Sequence, residues 1–334
     1  MKILVTGGCG FIGSALVKHL LANNYEVLNI DKLTYASNAD ALKEYEDNDK
    51  YSFLKVDIAD KNAISTSIIN FEPDFIMHLA AESHVDRSIA SPYEFIETNI
   101  IGTYNLLEAS LAYWENLTKT NKKVFRFLHV STDEVYGSLG KKGKFSEITR
   151  YDPSSPYSST KASSDHLCMA WNRTFDLPVL ITNCSNNFGP FQNSEKLIPT
   201  IIKNLFDGNK IPIYGDGKNI RDWLYVQDHV EALVEVLKKG HPGETYNIGS
   251  NNEITNLEIV RSICKIFDEK MKMDNSSSYL DKIEFVKDRA GHDQRYALDV
   301  TKIKRDIGWQ SNYSFEDSLS KTVDWYIGRY SNEK

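Results

Sequence analysis

The chain has 334 residues, of which 41% are hydrophobic and 25% charged, and its formal net charge is -7 at pH 7. This length favours one large domain with a smaller second lobe. The sequence has no apolar run of the roughly 18 to 20 residues that a membrane span needs, and its negative charge argues against a nucleic-acid backbone as partner.

The cysteines predict a reducing environment. Cys9, Cys168, Cys184 and Cys264 have neither metal-ligand spacing nor the density of a disulfide scaffold, so we expect free thiols and no metal site. The first residues, MKILVTGG, do not match a secretory signal. These features predict a cytoplasmic protein.

The first half of the chain alternates short β-rich runs with helical patterns, which predicts α/β architecture with a Rossmann-type, doubly wound parallel sheet. The predicted strands are 3–5, 27–30, 53–56, 75–79, 127–130 and 179–182. Apolar residues at helical spacing follow the first strand at Ile12, Leu16 and Leu20, and continue through the long stretch 92–114.

After residue 184 the alternation loosens. The remaining predicted elements are helices at 196–205 and 229–237, strands at 211–214 and 244–248, and exposed loops at 141–144 and 274–278. We therefore predict a Rossmann domain over 1–184 and a smaller mixed α/β substrate-binding lobe over 185–334. Some segments of about 219–250 are expected to return to the first domain.

A glycine pattern directly after the first strand predicts a dinucleotide site. Gly7, Gly10 and Gly13 stand where the pyrophosphate of a dinucleotide needs backbone without side chains, at the start of a helix. Asp31 closes the second predicted strand, where a carboxylate can accept hydrogen bonds from a ribose and would repel a 2′-phosphate. This favours NAD over NADP, and the alternative for the glycines is a tight turn without a ligand.

Two later strand ends extend this site. Asp57 follows the third strand, and its alternative role is a simple helix cap. The fourth strand ends with His78, Leu79, Ala80 and Ala81, where small side chains let a ligand come close.

Tyr157 and Lys161 are spaced by four residues, which places both on one face of a helix. A nearby ammonium favours the phenolate, so this tyrosine could accept a hydroxyl proton near neutral pH. The same spacing occurs elsewhere, at Tyr51/Lys55, Tyr214/Lys218 and Tyr330/Lys334. The setting distinguishes Tyr157, because it follows Ser-Pro at a helix onset, after the strand 127–130 and a polar run.

Asp133 and Glu134 indicate the type of reaction. Adjacent residues of a regular strand point to opposite faces, so these carboxylates can meet one ligand only if the strand has ended, as expected near Val130. Two carboxylates in different surroundings can serve as proton donor and base, which an elimination of water requires. The alternative is a solvated acidic turn.

Taken together, these residues resemble the extended short-chain dehydrogenase/reductase family, and within it the dTDP-glucose 4,6-dehydratases. The blocks that carry the resemblance are 7–14, 31–36, 79–88, 131–137, 183–187, 195–199, 221–223 and 288–293. The glycine pattern and the Tyr157/Lys161 pair are shared across the wider family, whereas the other blocks are specific to the dehydratases.

The resemblance implies a homodimer that binds NAD and a nucleotide sugar, dTDP-glucose. The implied NAD-binding residues are Gly7, Gly10, Phe11, Ile12, Gly13, Asp31, Lys32, Leu33, Thr34, Asp57, Ile58, Leu79, Ala80, Ala81, Ser83, Thr98, Tyr157, Lys161 and Asn187. The implied substrate-binding residues are Ser83, Thr132, Asn186, Glu195, Lys196, Leu197, Arg221, Asn256, Arg289 and His292.

Among these residues, Arg221 and Arg289 are assigned to the diphosphate, because planar guanidinium groups bind phosphate oxygens in bidentate fashion. The alternative is that each forms a surface ion pair with the aspartate beside it, Asp222 or Asp288.

The resemblance also implies a reaction that yields dTDP-4-keto-6-deoxyglucose and water. Tyr157 would accept the 4-hydroxyl proton while hydride passes to NAD, with Thr132 bonded to the 4-oxygen and Lys161 bound to the nicotinamide ribose and tuning Tyr157. Glu134 would then remove the C5 proton as Asp133 protonates the departing 6-hydroxyl, and the hydride would return to C6.

Other functions remain open from the residues alone. A dehydratase for another nucleotide sugar, a nucleotide-sugar 4-epimerase and a UDP-glucuronate decarboxylase share the NAD site and the Tyr/Lys pair, but the last two lack the Asp-Glu pair. A non-catalytic NAD-sensing protein would have lost Tyr157, Lys161 or the carboxylates, which this chain keeps. A purely structural protein would not need this set of polar residues.

Overall fold

The computed structural model of the chain describes residues 1–271, 277–288 and 293–332. The strands are β1 Lys2–Thr6, β2 Glu26–Asp31, β3 Tyr51–Lys55, β4 Phe75–His78, β5 Arg126–Thr132, β6 Val179–Cys184, β7 Asn186–Phe188, β8 Ile211–Tyr214, β9 Ile220–Tyr225, β10 Thr245–Ile248, β11 Glu253–Thr255 and β12 Ile283–Val286. The helices are α1 Phe11–Ala22, α2 Lys61–Phe71, α3 Val85–Ala90, α4 Pro92–Phe95, α5 Thr103–Glu115, α6 Lys119–Val124, α7 Pro156–Phe175, α8 Leu197–Phe206, α9 Val226–Lys239, α10 Asn256–Lys270, α11 Thr301–Ile307 and α12 Phe315–Asn332.

The largest element is a seven-stranded sheet with the order β10-β6-β5-β4-β1-β2-β3. Each pair of neighbouring strands is parallel. The central strands are buried along almost their whole length, as expected for a parallel sheet covered by helices on both faces. The predicted Rossmann-type fold class is confirmed.

The fifth strand is longer than its sequence pattern indicates. β5 continues past Val130 because Ser131 and Thr132 stay in register with Asn183 and Cys184 of β6. The strand therefore ends directly before Asp133, which opens a 3-10 turn over Asp133–Tyr136.

Helices cover the two faces of the sheet with separate apolar cores. On one face, Leu16 of α1 packs in the same cluster as Leu233 of α9 and Ile303 of α11. On the other face, α2, α5 and α7 contribute to a second cluster, which includes Ile68 and Leu107. The sheet is thus sandwiched between helices from distant parts of the chain.

The predicted helix 92–114 contains a wide turn. α4 leads into a π-helical segment, Ile96–Gly102, which continues into α5. The Asn99 side chain on this segment bonds both the N–H and C=O of Glu82, at 2.9 and 3.0 Å, and the Thr160 hydroxyl at 2.9 Å. The π turn therefore ties the loop after β4 to α7, in keeping with the frequent placement of such turns at functional sites.

The smaller lobe has its own core. Its two sheets, β11-β9-β7 and β12-β8, are covered by α8, α10 and α12. Phe188, Trp223 and Phe267 are at the centre of this core. Predicted loop residues 274–276 lie outside the described part of the chain, whereas 141–144 form no helix or strand, as predicted.

The chain passes back to the large sheet after entering the smaller lobe. β10 pairs with β6, and α9 and α11 pack on the same face as α1. The sequence pattern anticipates the return of 219–250, but it places α11 in the second lobe, whereas Ile303 and Ile307 of α11 are buried in the core beside the large sheet. Local periodicity shows that α11 has an apolar face without showing which core that face enters.

Two further features of the structure are the character of its helices and the state of its cysteines. Within the described ranges, no helix combines the length and apolar character needed to cross a membrane. Cys9, Cys168, Cys184 and Cys264 are free thiols and all are buried.

The packing of α11 generates a stability prediction. Ile303→Ala should lower the free energy of unfolding by about 2 to 5 kcal/mol, because the side chain is fully buried and its loss leaves a cavity. The matched control is Ile148→Ala, since Ile148 is 95% exposed and should change stability by less than about 0.5 kcal/mol. Denaturant unfolding followed by circular dichroism measures both, and equal midpoints would show that α11 contributes little to the core.

Candidate active site

A cleft lies along the carboxyl ends of the large sheet. The strand order reverses between β1 and β4, so the loops after these strands diverge and leave a crevice, which is where ligands bind in open α/β sheets. The predicted site residues that line this cleft are Gly7, Gly10, Phe11, Ile12, Gly13, Asp31, Lys32, Thr34, Ile58, Leu79, Ala80, Ala81, Ser83, Thr98, Thr132, Asp133, Glu134, Tyr157, Lys161, Asn186, Asn187, Glu195 and Lys196.

The glycine turn leaves no room for side chains. Gly7 has a φ of 72°, and a Cβ on it would lie 2.7 Å from the Ala80 backbone. A Cβ on Gly13 would lie 2.0 Å from the Gly7 carbonyl oxygen. Gly10 precedes α1 and provides no side-chain cap, and the first turn of α1 has no acidic residue. The helix start is therefore suited to an anionic group such as a pyrophosphate.

Asp31 is held at the end of β2. One of its carboxylate oxygens accepts a hydrogen bond from the Cys9 N–H at 3.0 Å. The other accepts from the Leu33 N–H at 2.8 Å and from the Ser37 hydroxyl at 3.1 Å. Leu33 itself adopts a φ of 59° in this turn and lies outside the lining of the cleft. The carboxylate is thus fixed in position before any ligand binds.

Lys32, the residue after β2, contacts a hydroxyl group and two carboxylates. Its ammonium donates to the Thr98 hydroxyl at 2.9 Å and lies 3.7 Å from Asp57 and 3.6 Å from Glu82. Asp57 also accepts a hydrogen bond from the Ala59 N–H at 2.9 Å. Asp57 therefore shapes its own turn and orients Lys32, and it lies beside the cleft lining instead of within it.

Thr132, Asp133 and Glu134 are brought together where β5 becomes a 3-10 turn. The Thr132 hydroxyl accepts from the Glu134 N–H at 3.3 Å and lies 3.3 Å from an Asp133 carboxylate oxygen. Thr132 lies close enough to the Tyr157 hydroxyl to lower its pKa. The sequence prediction that both carboxylates escape the strand's alternation agrees with this geometry, and all four side chains line one part of the cleft.

The surroundings of Asp133 favour its protonated form. Asp133 is only 2% exposed, and burial raises the pKa of its carboxyl well above the usual range. The neighbouring Glu134 raises this pKa further, and Arg221 opposes the shift. Glu134 is less buried than Asp133, so the paired acids are in unlike environments.

The surroundings of Tyr157 favour its neutral hydroxyl, whereas the sequence predicted that Lys161 would favour the phenolate. Burial raises the pKa of its hydroxyl well above the usual range, and Glu134 adds to the effect. The Lys161 ammonium instead donates to the Val130 carbonyl at 2.9 Å and lies 3.3 Å from the Nε2 atom of His129. In this structure desolvation outweighs any favourable effect of Lys161 on the phenolate.

Arg221, another predicted substrate residue, is buried but is not part of the cleft lining. The buried guanidinium of Arg221 donates to the Ile220 and Asp293 carbonyls, at 2.8 and 2.9 Å, and lies over the Tyr296 ring. Asp222 is also buried and accepts from Ser250 and Asn252, so the alternative of an exposed Arg221–Asp222 surface pair is wrong.

Four other predicted substrate positions have different outcomes. Leu197 begins α8 and Asn256 begins α10, and neither lines the cleft. Arg289 and His292 lie outside the described residues.

Sequence reasoning missed part of the cleft. The additional lining residues are Ile30, Ala36, Ser37, Val56, Glu82, Val130, Ser131, Cys184, Ser185, Gln192 and Asn193. Ser131, Cys184 and Ser185 lie at strand ends, so the strand pattern could have indicated them. Ser37 and Gln192 lie in loops, whose conformation is not indicated by any hydrophobic periodicity in the sequence. Within the described part of the chain, no cluster of three or more His, Cys, Asp or Glu side chains is arranged to hold a metal ion.

The family profile described as GDP-mannose 4,6 dehydratase matches residues 4–322. The chain belongs to this family. A dTDP-glucose 4,6-dehydratase from Escherichia coli is 54% identical over 339 residues, which cover 98% of this chain and 94% of that protein. The resemblance to dTDP-glucose 4,6-dehydratases is confirmed.

The solved structures that are similar to this chain include enzymes with different activities. A dTDP-glucose 4,6-dehydratase from Streptomyces venezuelae, with NAD and TYD bound, has a TM-score of 0.89 at 42% identity and covers 99% of this chain and 98% of its own. A UDP-glucose 4-epimerase from Thermotoga maritima, with UDP-glucose, has a TM-score of 0.86 at 29% identity and covers 99% and 100%. The backbone alone therefore does not separate dehydratases from epimerases.

The glycine turn generates a prediction about cofactor retention. Gly13→Ala should reduce bound NAD by at least about tenfold, because its Cβ would displace the Gly7 carbonyl and open the turn at the start of α1. The measurement is the NAD content of the purified protein together with calorimetric titration of NAD.

The matched control for this variant is Gly328→Ala. No heavy atom lies within 4 Å of the position of its Cβ, and it lies on the exposed side of α12. This control should retain NAD like the parent protein. Normal NAD content in Gly13→Ala would contradict the assignment of the turn.

Proposed function

We propose that the protein is an NAD-dependent dTDP-glucose 4,6-dehydratase, which converts dTDP-glucose to dTDP-4-keto-6-deoxyglucose and water. The observation that carries the proposal is the position of Asp133 and Glu134, which leave β5 together and meet Tyr157 in one cleft. The names of the relatives support the same substrate.

The cofactor residues fit NAD. The turn with Gly7, Gly10 and Gly13 would hold the pyrophosphate at the start of α1, and Asp31 would accept bonds from the adenosine ribose. Lys161 would hold the nicotinamide ribose. When bound, NAD supplies a reversible hydride acceptor. A Streptomyces relative was solved with NAD bound.

Tyr157 and Thr132 act on the sugar 4-oxygen. The Tyr157 phenolate, which must form in spite of the burial that raises its pKa, accepts the 4-hydroxyl proton as C4 is oxidised, and the nearby Thr132 hydroxyl orients the same oxygen. The ketone at C4 makes the C5 proton acidic, because the negative charge formed at C5 is delocalised onto the carbonyl oxygen. The oxidation therefore prepares the elimination.

Asp133 and Glu134 carry out the elimination. Glu134 removes the C5 proton, the C6–O bond breaks, and Asp133 donates its proton to the departing hydroxyl to form water. Burial raises the pKa of Asp133 and so favours the protonated form that this step requires. Glu134 returns a proton to C5 as C6 is reduced, and the net redox change is zero.

The nucleotide part of the substrate is proposed to lie against the smaller lobe. Asn186, Glu195 and Lys196 line that side of the cleft, and Arg221 is buried within electrostatic reach of Asp133. We assign Arg221 to the diphosphate because a preoriented guanidinium suits phosphate oxygens. The sequence resemblance adds Leu197, Asn256, Arg289 and His292 to this proposed set.

We also propose that the protein is a cytoplasmic homodimer. The buried free cysteines support a reducing compartment. Ile89, Tyr93, Ile96 and Ile101 are each more than two-fifths exposed along α3, α4 and the π segment, which supports an apolar subunit contact there. Sedimentation equilibrium distinguishes a dimer from a monomer.

A substrate panel tests the activity. With dTDP-glucose, the purified protein should give a product lighter by one water, without accumulated NADH, as measured by mass spectrometry and absorbance at the nicotinamide band. UDP-glucose and dTDP-galactose serve as comparison substrates and should react more slowly. Isomerisation of any of them without loss of mass would identify an epimerase and reject the proposal.

The variant Glu134→Gln should oxidise the sugar and then stall. Glutamine cannot accept the C5 proton, so the elimination should slow by about 10² to 10⁴. A single turnover should therefore leave reduced nicotinamide absorbance. The matched control is Glu269→Gln, because Glu269 is exposed on α10 and should turn over like the parent protein. Normal turnover of Glu134→Gln would remove this residue from the mechanism.

A further inference from the structure

A buried polar cluster centred on Asp165 adjoins Lys161 and the end of β5. Asp165 of α7 is 1% exposed, and one of its oxygens accepts hydrogen bonds from the Ser131 hydroxyl at 2.8 Å and the Tyr151 hydroxyl at 2.9 Å. The Asn183 amide lies 3.5 Å from the same oxygen. Carboxylates are seldom buried this deeply without a charged partner, so the cluster needs an explanation.

The helix spacing connects this cluster to the proposed catalytic residues. Tyr157, Lys161 and Asp165 are separated by four residues each, so they share one face of α7. The Lys161 ammonium lies 3.3 Å from the Nε2 atom of His129, and the second Asp165 oxygen lies 3.2 Å from the same atom. Lysine and aspartate therefore contact one imidazole nitrogen.

The histidines near Lys161 are neutral. Burial lowers the pKa of His129 well below its usual range, and Lys161 lowers it further. Burial likewise lowers the pKa of His78, whose ring is tilted by 39° against that of His129 with centroids 5.0 Å apart. These rings can fill space and accept or donate hydrogen bonds, but they cannot balance the charge of the ammonium.

The other titratable groups that act on Lys161 from its own helix and from β6 are also uncharged near neutral pH. Burial raises the pKa of the Cys168 thiol well above its usual range and that of Cys184 to about 12. Burial lowers the pKa of Lys161 itself, and Asp165 is the largest influence in the opposite direction. Asp165, whose pKa burial raises to about 6, is ionised above that pH and supplies the negative charge.

We propose that Asp165 is a positioning residue, whose carboxylate keeps the buried Lys161 charged and held against Val130 and His129. It thereby sets the pH range over which Tyr157 is active. The inference rests on the proposed function only for the roles of Tyr157 and Lys161 in turnover. The contacts of Lys161 and Asp165 are observed in the structure whatever the reaction is.

The expected effect has a definite sign. A negative charge near an ammonium raises the pH at which the ammonium loses its proton. Asp165→Asn removes that charge while keeping the shape, so Lys161 should lose its proton about one to two pH units lower. The alkaline limb of the kcat profile should move down by the same amount, whereas a structural defect would lower kcat at all pH values alike.

The direct measurement is NMR of the NAD-bound protein with ¹³Cε-labelled lysine. The Lys161 resonance is assigned by its absence in Lys161→Arg, and its titration midpoint is compared among variants. We expect a lower midpoint in Asp165→Asn and an unchanged midpoint in Asp165→Glu. Ser164→Ala is the uncharged control, because its hydroxyl also lies 3.2 Å from His129 Nε2. Equal midpoints in Asp165→Asn and the parent protein would overturn the proposal.

A second measurement does not depend on whether Asp165→Asn folds. In the parent protein, the Lys161 resonance should show an inflection near pH 6 as Asp165 gains a proton. A flat response between pH 5 and about 7.5 would overturn the proposal. The resonance reports the charge on Lys161 and not turnover. The titration therefore tests the role of Asp165 even if the substrate panel shows no dehydratase activity.

Discussion

The register between β5 and β6 is the constraint on which the site depends. Pairing persists to Thr132 and Cys184 and then stops, so the next residue enters a 3-10 turn. Strand geometry would separate Asp133 from Glu134, but the turn lets both face the cleft. The length of one strand therefore decides whether a pair of acids or a single acid faces the cleft.

Desolvation is the second constraint, and it acts on each charged group differently. Burial favours the protonated form of Asp133 and of Tyr157, and the deprotonated form of Lys161. A buried acid that keeps its proton is suited to proton donation, whereas a buried lysine needs a partner to stay charged. The Asp165 cluster provides that partner from the next turn of the same helix.

The fold is shared with enzymes of different activity. An epimerase and a dehydratase match this backbone almost equally well. The proposed dehydratase activity of this chain therefore rests on the side chains of the polar turn after β5 and not on the backbone. The return of the chain through α9, β10 and α11 stabilises the sheet that holds this turn, so the two lobes do not correspond to a single cut in the sequence.

The sequence by itself determined the features encoded by near neighbours. Alternating strands and helices indicated the parallel sheet, the spacing of Gly7 and Gly13 indicated the anion-binding turn, and the Tyr157/Lys161 spacing indicated a shared helix face. The tertiary structure decided that α11 joins the larger core and that Arg221 is buried beneath Tyr296. It also decided the direction of each pKa shift. Core membership and desolvation depend on atoms from residues far apart in the chain, which local periodicity does not record.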